Sequence, residues 1–111
     1  MAVLTSPWVF IDLETTGLKP ETDKIIEFGL VRYGNDGNRA TWGQLVNPGQ
    51  AMDPFITQLT GIDDAMLSEA PMLSTIRDEA IPLIEGSVVV AHNAAFDVTF
   101  LQQQLGIAIQ P

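Results

Sequence analysis

The chain has 111 residues, one domain's worth, and its 46% hydrophobic content supports a real core, which excludes a disordered segment. Its formal net charge is −9, from 14 acids against 5 bases, which excludes a simple electrostatic clamp on DNA and leaves the acids to face solvent or hold cations. There is no cysteine, so disulfides and thiolate metal sites are excluded, in keeping with a reducing cytoplasm.

The start, Met1 to Leu4, lacks a basic region and is soon broken by Pro7, so no signal peptide is expected. No apolar run approaches a membrane span, and no membrane partner is expected. Trp8 to Glu14 reads as a strand running into a loop at Thr15-Thr16-Gly17. Ile25 to Tyr33 reads as a second strand, and Gly34-Asn35-Asp36-Gly37 as a turn. Arg39 to Val46 returns as a third strand, closed by Asn47-Pro48-Gly49. These three are expected to form an antiparallel meander.

Met52 to Pro71 reads as short helical pieces, with Pro54 at a first helical position, Gly61 at an end and Asp63 as a cap. Ser74 to Glu85 has the spacing of a helix, with Ile76, Ala80, Ile81 and Ile84 apolar. Pro82 removes one hydrogen bond there, which predicts a kink or an early end before Gly86. Ser87 to Ala91 is uncharged and β-branched, the pattern of a strand covered on both faces. His92-Asn93 leads into a helix from about Ala95 to Leu105, with Val98, Leu101 and Leu105 on one face and Gly106 as its stop. Residues 107–111 read as the approach to another strand. The order predicts an α/β fold around a mixed sheet.

Asp12 and Glu14 are two apart on a strand and therefore share a face. Two carboxylates on an apolar strand with no adjoining base are costly to bury, and a divalent cation such as Mg²⁺ or Mn²⁺ is the natural partner. The plain alternative is a strand end whose acids face water. Asp97 lies in the first turn of a helix that follows a buried strand, where the helix dipole alone could explain it. It also lies just past a strand's C-terminal end, as Asp12 and Glu14 do, and ligands of α/β sheets gather there. Parallel, adjacent first and fourth strands would bring all three acids together. His92, the only histidine, reads as a strand-end residue bonded to backbone or solvent. Phe96 and Phe100 read as core, with Phe96 also able to stack on a base.

Phe10-Ile11-Asp12-Leu13-Glu14-Thr15-Thr16-Gly17-Leu18 resembles the first motif of the DnaQ-like exonucleases of the DEDD superfamily. Ala91-His92-Asn93-Ala94-Ala95-Phe96-Asp97-Val98-Thr99-Phe100-Leu101 resembles the second. Ile25-Ile26-Glu27-Phe28-Gly29 and Leu59-Thr60-Gly61-Ile62 match the family's connecting blocks in order and spacing. The resemblance is to the proofreading subunits and domains of bacterial replicative polymerases. It implies an RNase H-like mixed sheet, an antiparallel meander plus a parallel strand, flanked by helices.

The resemblance further implies two-metal hydrolysis of a nucleic-acid 3′ end, one ion activating water and one holding the leaving oxygen. Asp12, Glu14 and Asp97 would be metal-binding and catalytic: Asp12 bridging two ions, Glu14 holding one, and Asp97 supporting the second directly or through water. Thr15, Thr16, Gly17 and Leu18 would line the pocket of the terminal nucleotide, with Asn93 and Phe96 as further candidates. The implied partners are a single-stranded 3′ end and a DNA polymerase subunit.

The family's third motif, with a fourth carboxylate and in one branch a histidine base, has no counterpart here. Residues 1–111 are therefore expected to be one partial exonuclease domain, without its C-terminal strand and helix and inactive by itself. The implied sheet order is 3-2-1-4-5, so Ser87–Ala91 is expected to be a bare edge. Such an edge invites self-association by strand pairing or by exchange of a terminal segment, unless residues 107–111 fold back over it. The alternative to an enzyme is a non-catalytic remnant that binds nucleic acid or a partner. A two-carboxylate glycosidase is discounted, because Asp12 and Glu14 on one strand cannot flank a sugar from opposite sides.

Overall fold

The computed structural model describes residues 6–109. Three strands, β1 (Trp8–Thr15), β2 (Ile25–Tyr33) and β3 (Arg39–Leu45), form the expected antiparallel meander. Two short helices follow, α1 (Pro54–Thr60) and α2 (Asp64–Ser68), then the longer α3 (Leu73–Ile84). The chain re-enters the sheet as β4 (Val88–Val90), parallel to β1, and leaves in α4 (Ala94–Leu105). The order across the sheet is β3-β2-β1-β4, so β4 is an edge strand among the described residues.

Alternation along β1 decides which side of the sheet is packed. Val9, Ile11 and Leu13 are buried, while Trp8, Phe10 and Asp12 are exposed. In-register partners carry the same division across the sheet. Leu30 and Phe28 lie with Ile11 and Leu13 on the covered face; Val31 and Gly29 lie with Phe10 and Asp12 on the open one. The covered face packs against Ile76, Ala80 and Ile84 of α3 and Val98, Leu101 and Leu105 of α4. Ile107 and Ile109 complete that core, so the segment after α4 folds inward.

The register slips between Glu14 and Thr15: Glu14 faces Glu27, whereas Thr15 faces Ile25. This bulge lets two consecutive isoleucines be buried in different places. Ile25 enters the main core, and Ile26 enters a second cluster with Met52, Ile62 and Leu67 beneath α1 and α2. Ile26→Ala is expected to destabilise by about 2–4 kcal/mol in denaturant unfolding, as a large-to-small change at a fully buried site.

Both short helices are closed by local chemistry. Asp53 accepts from the Phe55 N–H at 2.9 Å with Pro54 opening α1, and Gly61 ends it at φ 77°. Asp63 caps α2 as expected, accepting from the Met66 N–H at 2.9 Å. Of the two outcomes expected at Pro82, a kink or an early end, the early end does not occur: the helix runs to Ile84, because the apolar stripe of Ile76, Ala80 and Ile84 remains anchored in the core. One further expectation needs correction. The fourth strand is not covered on both faces: only Val88–Val90 pair with β1, Val89 is buried, and Val88 and Val90 on the open side are half-buried.

Candidate active site

Asp12 and Glu14 stand on the open face of β1, at its C-terminal end. β4 runs parallel beside β1, and its C-terminal end delivers the chain into α4 at the same end of the sheet. Asp97, in the first turn of α4, is brought next to both acids. Its side chain is only 5% exposed, and its carboxyl group is pushed up to about 6. Burial is the main cause; the charges of Asp12 and Glu14 add to it, and His92 acts in the opposite sense. Glu14 is also raised, by burial first, then by Asp12 and then by Glu27. Asp97 thus feels the charges of Asp12 and Glu14, at the end of the sheet expected from strand order.

Glu27 is a site residue that sequence reasoning passed over. It faces Glu14 directly across β1 and β2, where like charges oppose each other. Among the described residues, His92 is the one basic group that offsets the raised Asp97. Arg32 of β2 is in register with Val9 and therefore belongs to the other face. Among the described residues, no three acid or imidazole side chains are drawn together tightly enough to grip an ion as they stand. Chemically the donor set suits a hard divalent cation: it is all carboxylate oxygen and partly buried. Closing on an ion would require side-chain movement.

The loop after β1 is built by short-range hydrogen bonds. The Thr15 hydroxyl donates to the Gly17 carbonyl at 2.6 Å. The Thr16 N–H donates to the Lys24 carbonyl at 2.8 Å, and the Lys24 N–H returns a bond to the Thr16 hydroxyl at 2.9 Å. Gly17 lies against the Asp23 carboxylate so closely that a Cβ would collide with it. Leu18 is 82% exposed, an apolar side chain held out into solvent beside the acids. The four loop residues singled out from the sequence therefore share one turn at the carboxylate end of β1.

Asn93 and Phe96 are placed differently. Asn93 is exposed, and its carbonyl accepts from the Phe96 and Asp97 N–H groups without a side-chain cap. Phe96 is half-buried and packs on Phe100, with ring centroids 4.8 Å apart. His92 is exposed just past β4. An open groove on the sheet adjoins the acids, lined by Phe10, Asp12, Gly29, Gly43, Val90 and His92. Gly43, Gly29 and Asp12 are consecutive partners across three strands, so the floor next to Asp12 has no side chains.

Known proteins are similar to this chain in sequence and in fold. Over 98% of its length the chain is 39% identical to the PolC-type DNA polymerase III of Caldanaerobacter subterraneus subsp. tengcongensis, covering 8% of that protein. It is 42% identical over 86% of its length to the DNA polymerase III subunit epsilon of Treponema pallidum, covering 45% of it. It is 35% identical over 88% of its length to the 3′-5′ exonuclease DinG of Bacillus subtilis, covering 11% of it. The chain thus spans less than half the length of each of these relatives. In fold it superposes on E. coli exonuclease I crystallised with a dA16 oligonucleotide, with a TM-score of 0.77 at 18% identity over 92% of this chain and 24% of that one. The family model described as Exonuclease, RNase_T, matches residues 9–110, and the chain belongs to that exonuclease family.

Proposed function

We propose that this chain carries the metal-holding and nucleotide-holding part of a 3′–5′ exonuclease that removes nucleotides one at a time from a single-stranded DNA 3′ end, as a proofreader beside a polymerase. The observation that carries this reading is the juxtaposition of buried Asp97 with Asp12 and Glu14, next to the Thr15–Leu18 turn. Relatives named as the epsilon subunit of DNA polymerase III and as a 3′-5′ exonuclease support the direction of cleavage and the polymerase partner.

In this reading Asp12, Glu14 and Asp97 would hold the divalent ions, Asp97 directly or through water. Bound Mg²⁺ or Mn²⁺ supplies Lewis-acid polarisation of the phosphate and lowers the pKa of water. The protein's own residues do the positioning. Backbone groups of Thr15 to Gly17 hold the terminal nucleotide, and Leu18 gives its base an apolar wall. The glycine floor of Gly29 and Gly43 leaves room for the sugar-phosphate beside Asp12. His92 lies within electrostatic reach of Asp97 but is assigned no proton-transfer role.

The test is titration of the chain with Mn²⁺ under NMR. Selective paramagnetic broadening of amides in 12–16 and 92–98 is expected. Broadening centred on the acids of α1 and α2, Asp53, Asp63 and Asp64, would sink the assignment.

The same reading includes self-association through the β4 edge. Its β-branched, uncharged residues lack a second strand partner among the described residues. Sedimentation velocity is expected to show a dimer that grows with concentration. A clean monomer at high concentration counts against pairing.

A further inference from the structure

Gln104 is the one α4 side chain whose amide is committed at both ends to the segment that follows the candidate nucleotide pocket. Its Oε1 accepts from the Ile25 N–H at 3.2 Å. Its Nε2 donates to the Asp23 carbonyl and, at 3.4 Å, to the Pro20 carbonyl. Ile25 sits where the β1–β2 register slips, so a side chain from a helix is bonded to the backbone at the point of irregularity. Asp23 carries the connection onward. Its carboxylate accepts from the Lys19 N–H at 2.9 Å and from the Thr16 hydroxyl at 3.4 Å, and it lies against Gly17. Gln104 is seven residues after Asp97, two turns along α4 and on the same side of the helix.

We propose that Gln104 and Asp23 are positioning residues: together they tie the Thr16–Leu18 turn to the helix that carries Asp97, and so fix the spacing between nucleotide pocket and metal site. This rests on the reading of that turn as the pocket of the 3′-terminal nucleotide. Neither residue touches the nucleotide. Without the bracket the loop keeps its local bonds, Thr16 to Lys24 among them, but loses its reference to α4.

The test uses the full chain, with dTMP plus Mn²⁺ as the probe, and three variants: Gln104→Ala, Gln104→Glu and Gly17→Ala. In Gln104→Ala, the three side-chain bonds to Ile25, Asp23 and Pro20 disappear, so exchange of the Ile25 amide and the neighbouring loop amides is expected to accelerate about tenfold. Exchange at core amides such as Val89 and Leu101 should stay within about twofold. Affinity for dTMP in saturating Mn²⁺ should drop about tenfold, while affinity for Mn²⁺ alone is unchanged. Gln104→Glu keeps the acceptor for Ile25 and loses the donor for Asp23, so it should restore protection at Ile25 but not dTMP affinity. Gly17→Ala, which displaces Asp23, should reproduce the dTMP defect with Ile25 still protected. Equal dTMP affinity in wild type and Gln104→Ala, or a parallel loss of dTMP and Mn²⁺ affinity, overturns the proposal. Wild-type protein that binds Mn²⁺ but no dTMP overturns the pocket reading itself, and the positioning role falls with it.

Discussion

The 111-residue chain by itself is expected to release nucleotides from a single-stranded DNA 3′ end at a rate indistinguishable from its Asp12→Ala variant, even in millimolar Mn²⁺. The reason lies in the ligand set. The charges of Asp12 and Glu14 oppose ionisation of Asp97, yet no three of the acid or imidazole groups among the described residues close into an ion-holding cluster. An ion held by so few carboxylates stays mostly hydrated, and Mg²⁺ sheds water reluctantly. Groups that act as a unit in catalysis also fail as a unit; loss of one member commonly removes about 10⁴-fold or more of the rate. A variant or partner that supplies a further carboxylate ligand to the site is expected to raise the activity, and Asp12→Ala is expected to abolish the gain. The measurement is gel-resolved shortening of a 5′-labelled oligonucleotide. Shortening by the isolated chain that vanishes in Asp12→Ala would refute the prediction and point to a site completed by a second molecule.

Local periodicity carried most of the fold, and its failures are specific. The parity of Asp12 and Glu14 put both on one face, and the β1–β4 parallel pair then placed Asp97 at the same sheet end. The first step needs only strand alternation; the second needs the strand order, which the family resemblance implied. Glu27 escaped because its partner depends on the β1–β2 register, which the connection over residues 16–24 leaves open in the sequence. Gln104 escaped because its partners are about eighty positions earlier in the chain, and a glutamine near a helix end carries no local signal of what it will bond. An early end at Pro82 was not realised, because the burial of Ile84 two residues later outweighs one lost hydrogen bond. Val88–Val90 looked interior because β-branched residues report strand propensity, not the number of neighbours.

Replacing Asp97 by asparagine is expected to stabilise the metal-free fold at pH 8, by about 1–2 kcal/mol, or several degrees in Tm. The sign follows from the direction of the shift. The Asp97 carboxyl is raised from 3.8 to about 6 in the folded chain, by burial and by Asp12 and Glu14. Between those two values the folded state holds a proton that the unfolded state has released, so stability falls as pH rises through the window. Above about pH 6 the penalty is fully present; below about pH 4 it is gone. Two pKa units correspond to at most about 3 kcal/mol, reduced here by solvent screening near the open groove. Wild type should therefore gain stability from this group on acidification from pH 7 to pH 5, and Asp97→Asn should lose that part of the slope. A divalent ion reverses the picture, because it favours the charged carboxylate. Mn²⁺ should raise the Tm of the wild type more at pH 8 than at pH 5, since binding to the native state alone stabilises it and protons compete for the same oxygens. In Asp97→Asn that pH-dependent gain should shrink, and in Asp12→Ala it should vanish. Thermal unfolding of the three proteins at pH 5 and pH 8, with and without Mn²⁺, decides the matter. An Asp97→Asn variant less stable than wild type at pH 8 without metal would show that the buried carboxylate is satisfied by the protein, and that the site has no need of a cation.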